Sequence, residues 1–447
     1  MTDSERAAER ASSAGLNRDI LRLAVPALGA LVAEPAFLIV DAALVGHLGV
    51  DPLAGLGIAS AVLQTIVGLM IFLAYSTTPA VARRFGAGDP SRAVSVGIDG
   101  MWLALGVGAV LALGGWLATP TLVGLFGPTP EVAEQARIYL GLSMGGLPAM
   151  LIVFAATGLL RGMQDTLTPL WIAGVGFAAN AGLNFLLIYG LGWGIAGSAI
   201  GTVIAQWAMV GAYVVVIGRL ASRHSARLRP RRDGIGGSAR SGGWLFLRTV
   251  SLRIALLSTV VVATSMGPDE LAGYQVVFTI FSAAAFALDA LAIAAQALVG
   301  KGLGAGDTAG VRRVLGRTVA WGVWFGVIVG GIIAVFSGAI GLVFSGSPVL
   351  AALILPALLV LALAQPVAGV VFVLDGVLIG AGDAAYLALA GVANLVVFLP
   401  ALLIVSVTGV RGAGGLAWLA ASFFGVYLCA RLLTLGLRVR GTAWQHS

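Results

Sequence analysis

The sequence predicts an all-α integral membrane protein with twelve transmembrane helices, built as two parallel six-helix repeats. Three observations carry that prediction: an apolar composition, twelve runs of spanning length, and one offset that maps the first half onto the second. Of 447 residues, 59% are hydrophobic and only 10% charged, and mean hydropathy is +1.02. Soluble domains carry about 25% charged residues, so a chain this poor in charge belongs in a bilayer.

A hydrocarbon core of about 30 Å takes about 20 apolar residues of helix to cross. Such runs fall at 20–46, 53–81, 94–118, 136–160, 166–189 and 193–218 in the first half. The second half has them at 244–266, 271–300, 314–344, 349–380, 384–408 and 413–437. Short alternating segments, which a transmembrane barrel requires, are missing from the sequence. The expected organisation is an N-terminal tail at 1–19, an N-lobe at 20–218, a basic linker at 219–243, a C-lobe at 244–437 and a C-terminal tail at 438–447. The first 18 residues are polar and mixed in charge, unlike a cleavable signal peptide.

The duplication is the most specific signal. Gly86-Ala87-Gly88-Asp89 recurs as Gly304-Ala305-Gly306-Asp307, an offset of 218 residues. The same 218 relates Asp51 and Leu53-Ala54-Gly55 to Asp269 and Leu271-Ala272-Gly273, and Gly162-Met163-Gln164-Asp165 to Gly380-Ala381-Gly382-Asp383. Six helices per repeat is an even number, so the two halves share one orientation about an axis along the membrane normal.

Charge placement predicts the orientation. Arg6, Arg10, Arg18 and Arg22 precede span 1, and Arg83, Arg84 and Arg92 lie between spans 2 and 3. Seven arginines fall in the linker, and Lys301, Arg312, Arg313 and Arg317 flank the connection after span 8. These share one side with Arg161, Arg431, Arg438 and Arg440, whereas Arg137 and Arg411 fall on the other. Positive residues are retained on the cytoplasmic face, which makes both termini cytoplasmic. The pI of 10.2 thus reflects topology, and no nucleic-acid partner is expected.

Span 1 holds the chemistry that stands out. Glu34, Pro35 and Asp41 put two carboxylates and a helix breaker into an apolar run. An acid near the bilayer centre costs about 2.5–3.5 kcal/mol on insertion scales, so such groups usually line an ion or substrate pathway. Glu34 and Asp41 are two helical turns apart on one face, and Pro26 and Pro35 free the carbonyls of Arg22 and Leu31, favouring a kink. The counterpart of Asp41 in the second half is Thr259, so the acid occurs once, as a coupling-ion site requires. Span 5 offers Asn180 and Asn184 on one face, and span 6 offers Thr202, either to complete that site or to bond helices together. Gly197 and Gly201 form a close-packing face. In the second half Arg248 and Arg253 enter span 7 while Asp289 and Asp375 lie in spans 8 and 10, and the expected ion pair is Arg253 with Asp289. Asp99 lies within reach of the cytoplasmic arginines.

Enzymatic readings fail on inventory. The three histidines, His47, His224 and His446, lie in or near loops, and Cys429 is the single cysteine. Zinc sites and nucleophilic triads lack material, and no phosphate loop for ATP is present. The driving energy is then an ion gradient or the membrane potential, and no cofactor is expected.

Several stretches resemble the multidrug and toxic compound extrusion (MATE) family. These are VDAALVGHLG ending span 1, ARRFGAGD after span 2 and LLRGMQDTLTP between spans 4 and 5. NAGLNFLLIYGLGWGIAGSAIGT and VLDGVLIGAGD are similar to its DinF-like branch, and the likeness covers about residues 18–440. The resemblance implies two six-helix bundles in a V, and antiport of protons or sodium against organic, often cationic and amphipathic, compounds. It implies coupling roles for Asp41, Asn180 and Thr202 and a bending role for Pro26. Many relatives carry a second acid where this chain has Asn184, which leaves Asp41, with Glu34 assisting, as the protonatable group. A flippase for lipid-linked sugars, the nearest rival, would line its cavity with arginines. The expectation is a monomer in the inner (plasma) membrane, taking up protons, with sodium as the alternative ion.

Overall fold

The computed structural model describes residues 3–345 and 348–446, with side chains from residue 14 onward except that of Ser345. The Arg6 and Arg10 side chains used in the orientation argument lie outside the described residues. Regular structure among the described residues is entirely helical. Among the described residues, twelve helices are long and apolar enough to cross a membrane. In the first half these are α1 (Ala14–Gly46), α2 (Val50–Gly86), α3 (Pro90–Gly124), α4 (Pro130–Gly162), α5 (Leu167–Gly190) and α6 (Gly194–Arg223). In the second half they are α7 (Arg232–Met266), α8 (Pro268–Gly304), α9 (Thr308–Phe344), α10 (Pro348–Gly380), α11 (Ala384–Thr408) and α12 (Gly412–Arg440). Ten of the twelve expected runs fall wholly within one of them, those at 166–189 and 193–218 begin one residue before α5 and α6, and α1 stays helical through both Pro26 and Pro35.

The repeat extends to the backbone. Gly88 and Gly306 take φ of 77° and 72°, as glycines that close α2 and α8 must where the chain turns left-handed. The next residue in each case caps the following helix: Asp89 accepts from the Arg92 N–H at 2.9 Å, and Asp307 from the Gly310 N–H at 2.7 Å. At the end of α4, Gln164 takes φ of 67°, and its counterpart Gly382 after α10 takes 76°. Close packing repeats as well. A β-carbon on Gly158 would fall 2.8 Å from the Ala74 carbonyl oxygen, and one on Gly376 would strike that of Ala292. Gly162 and Gly380 stand likewise against the carbonyls of Thr78 and Gln296.

The chain forms two compact units. One is Val25–Gly242; the other joins the described residues before Val25 to those from Gly243 onward. The first unit therefore includes nearly all of the expected linker. Its core gathers Val81 of α2, Ala93 and Val94 of α3, Leu159 and Leu160 of α4, and Tyr213 and Ile217 of α6. The end of the N-terminal tail is held in the second unit, where Asn17 accepts from the Arg317 guanidinium at 2.6 Å and the Trp321 indole at 3.2 Å.

Among the described residues, four of these helices depart from regular α geometry. α2 breaks at Ile71, α4 tightens to a 3-10 turn at Met144–Gly146, α5 widens to a π turn at Leu186–Gly190, and α12 does so at Ala421–Tyr427. At the α4 break the Gly145 carbonyl is satisfied by the Trp207 indole at 3.0 Å. Free backbone groups in a bilayer require such partners.

Candidate functional site

Asp41 of α1 is 3% exposed and is the centre of a hydrogen-bonded cluster within the first unit. Its Oδ1 accepts from Ser198 Oγ at 2.6 Å and Asn184 Nδ2 at 2.8 Å, and its Oδ2 accepts from the Tyr139 hydroxyl at 3.1 Å. Asn184 Nδ2 also reaches Asn180 Oδ1 at 3.1 Å, and Asn180 Nδ2 donates to Thr202 Oγ1 at 3.0 Å. Four helices thus meet on one carboxylate: α1, α4, α5 and α6. Burial penalises the charged form, while three donors stabilise it. That balance suits a group which exchanges a proton or a cation.

The helical spacing explains who meets whom. Asn180 and Asn184 present one face of α5, and Ser198 and Thr202, again four apart, present one face of α6. The glycines let these faces touch. A β-carbon on Gly197 would lie 2.8 Å from the Leu187 carbonyl carbon, and one on Gly201 would collide with Asn184 Oδ1. That Oδ1 is buried and has no hydrogen-bond partner.

The cluster borders a cavity of about 100 Å3, lined in part by Glu34, Tyr139, Asn180, Thr202 and Gln206. Its apolar wall includes Phe37 and Phe177, stacked with ring centroids 5.1 Å apart. Glu34 belongs to this cavity rather than to the Asp41 cluster, and it has no hydrogen bond or ion pair with any described residue. Pro26 is buried, and Pro35 is half-buried one residue from Glu34.

Asp41, Asn180, Asn184 and Thr202 meet as the sequence predicts, whereas Tyr139 and Ser198 join them unpredicted. Ser198 had a signal, since it sits four residues before Thr202 inside the Gly197–Gly201 face. Tyr139 had none; it enters from 98 residues away and its neighbours in sequence are unremarkable.

In the second unit the expected ion pair is corrected. Arg253 is exposed and makes no ion pair among the described residues, with Asp289 or any other acid. Asp375 of α10 instead receives Arg248 of α7 through two bonds, and Arg431 of α12 at 3.0 Å. Helical phase is the reason. Five residues of α-helix turn about 500°, so Arg248 and Arg253 point some 140° apart. The buried stripe of α7, through Leu245, Thr249 and Ala255, is flanked by Arg248. Asp289 is half-buried on α8, and no metal-binding group of three or more His, Cys, Asp or Glu occurs among the described residues. Nearby, Asp383 accepts from Arg438 at 2.7 Å, and that guanidinium lies 4.7 Å from the centre of the Tyr386 ring.

Comparison with known proteins places this architecture. The family model MatE matches residues 26–186 and 248–404, one match per half. Protein DETOXIFICATION 44, chloroplastic, of Arabidopsis thaliana is 30% identical over 95% of this chain and 83% of its own length. DNA damage-inducible protein F of Escherichia coli K12 is 30% identical over 65% of this chain and 64% of its own. The crystal structure of the Vibrio cholerae MATE transporter VcmN in its bent form superposes with a TM-score of 0.86 at 19% identity, covering 97% of this chain and 99% of that one. With twelve spans, a repeated match and no enzyme among these relatives, the chain belongs to the MATE family of membrane transporters of small compounds.

Proposed function

We propose that this transporter is a proton-coupled antiporter that exports organic, cationic amphipathic compounds, with Asp41 as the coupling group. The observation that carries this reading is the Asp41 cluster: one buried carboxylate, three hydrogen-bond donors, and a shared wall with a small cavity. A proton and an organic cation both favour a carboxylate, so each weakens the other's hold, and exchange follows from that competition. The name of the plant relative, detoxification, accords with such a substrate. The aromatic and apolar wall beside Glu34 and Gln206 suits an amphipathic cation. Pro26 and Pro35 leave α1 two weakened points at which the helix can bend as the charge on Asp41 changes. The protein works as a monomer in the plasma (inner) membrane with both termini cytoplasmic, and needs no cofactor and no nucleic-acid partner.

Sodium is the second reading, favoured by the unpartnered Asn184 Oδ1 beside Asp41. Against it, both Asp41 oxygens are already occupied by donors, and a hard cation wants an array of free oxygens. Purified protein in liposomes separates the two. A fluorescent organic cation should move against an imposed proton gradient and not against a sodium gradient. Undiminished coupled transport by Asp41→Asn would overturn the assignment.

A further inference from the structure

A second cleft of the first unit, of about 510 Å3, lies away from the Asp41 cluster. Its walls are the last turn of α2 (Arg84), the first turns of α3 (Asp89, Ser91, Arg92, Ser95, Asp99), the α6–α7 connection (Arg227, Arg231) and the start of α7 (Asp233, Gly234). We propose that this cleft is a binding site for the phosphate headgroup of an anionic phospholipid.

The connection is tied down on α3 by a polar stripe. Ser91, Ser95, Asp99 and Trp102 recur every three or four residues on one face. Ser91 Oγ donates to the Ser225 carbonyl at 3.3 Å, and Ser95 Oγ accepts from the Arg227 N–H at 3.1 Å. Asp99 accepts from the Arg231 N–H at 2.9 Å, and the Trp102 indole donates to the Leu228 carbonyl at 3.1 Å. The backbone of a charged segment is thereby held, and its arginine side chains are presented to the cleft.

The charges do not cancel internally. Asp89 is engaged as the cap of α3, and Asp99 holds the Arg231 N–H and lies 3.9 Å from the Arg227 guanidinium. Asp233 stands in the first turn of α7, where the helix N-terminus favours a negative charge. The guanidinium groups of Arg84, Arg92 and Arg231 have no hydrogen bond or ion pair with any described residue. Three unpaired guanidiniums in one cleft match a phosphate, which they can bind in forked pairs.

Depth selects a lipid over a soluble anion. Residues 100–124 of α3 contain no charged side chain, so the hydrocarbon boundary falls just past Asp99, and the cleft stands at headgroup level. Directly beneath it α3 exposes Trp102, Val110, Leu113 and Leu117, a stripe along which acyl chains can lie. Basic pockets between helices at this level are a known manner of holding lipid headgroups.

The test uses the whole 447-residue chain in detergent, with retained lipid counted by native mass spectrometry and thermal stability followed alongside. Phosphatidylglycerol should be retained and raise the melting temperature, while phosphatidylcholine should do neither. R84Q/R92Q/R231Q should lose retention by about fivefold per arginine removed. R312Q/R313Q/R440Q, which removes three exposed arginines elsewhere, should keep it. Should the triple variant misfold, the three single variants carry the same test. Equal retention by the cleft variants and wild type, or equal loss in the control triple, overturns the proposal. So does inorganic phosphate alone reproducing the thermal shift, which would make the cleft a site for a free anion.

Discussion

Residues 218 positions apart hold matching places in the two halves, and their chemistry diverges most where the first half is polar. Asn180, Asn184, Ser198 and Thr202 correspond to Phe398, Leu402, Leu416 and Ala420, and Asp41 to Thr259. Phe398 is fully buried and packs edge-on against Phe423 and Tyr427, with ring centroids 6.0 and 5.4 Å away. Thr259 pairs with the Tyr274 hydroxyl at 2.7 Å. The reverse exchange occurs between α4–α6 and α10–α12. Where the second half has Asp375 with Arg431, the first has Thr157 with Tyr213, hydrogen-bonded at 2.8 Å. The duplicated frame depends on close-packed glycines and on the capping aspartates Asp89 and Asp307, which are kept in both halves. The interior polar groups differ, and the central acid of each half finds its partners within that half. One half holds a buried acid met by neutral donors and the other a set of ion pairs.

The sharpest way to break that comparison is to neutralise the central acid of each half. Asp41→Asn keeps the volume and most hydrogen bonds, so coupled transport in liposomes should fall to background while the melting temperature changes little. Asp375→Ala should do the opposite. It removes the carboxylate that the largely buried Arg248 and Arg431 share and should cost about 3–5 kcal/mol, read as a large drop in thermal stability, with transport per folded molecule preserved. Transplanting the first half's solution tests whether the exchange of chemistry is free. The triple variant D375T/R431Y/R248A should regain most of the stability lost in Asp375→Ala, because a neutral Thr–Tyr pair replaces charges whose shared carboxylate has gone.

Smaller effects sharpen the picture within the first half. Ser198→Ala removes the shortest bond to Asp41, and a hydrogen bond to a charged group contributes about 1.5–3 kcal/mol. Coupled transport should fall by about tenfold or more, less than for Asp41→Asn. Thr202→Val, at the far end of the Asn180 bridge, should cost about 0.6 kcal/mol, the typical worth of an interhelical bond in a membrane, and change transport least. A reversed order of these two would place the proton path through Asn180 and Thr202 rather than through Ser198.

Legibility followed the range of the interaction. Apolar run length and positive charge count are local, and the twelve helices fall where the runs place them. Asn180 and Asn184 were legible as a pair because helix geometry puts residues four apart on one face. The Arg248–Asp375–Arg431 set was not, because the choice between Arg248 and Arg253 is a choice of helix rotation. Rotation is decided by how α7 packs, with Arg248 and Ser251 against Gly391 of α11, and an arginine within the last span reads as a topology signal until its partner is seen.

By itself the sequence determined the bilayer as the solvent, the count of helices, the duplication, and the uniqueness of Asp41, since composition, run length and a fixed offset survive without any knowledge of contacts. Tertiary structure alone decided that Tyr139 and Ser198 close the shell around Asp41, that Glu34 faces a neighbouring cavity instead, and that the arginine-rich connection lies along α3. Those outcomes join segments about 100 or more residues apart. They depend on the close approach that Gly197 and Gly201 permit and on the angle at which each helix turns its polar face inward.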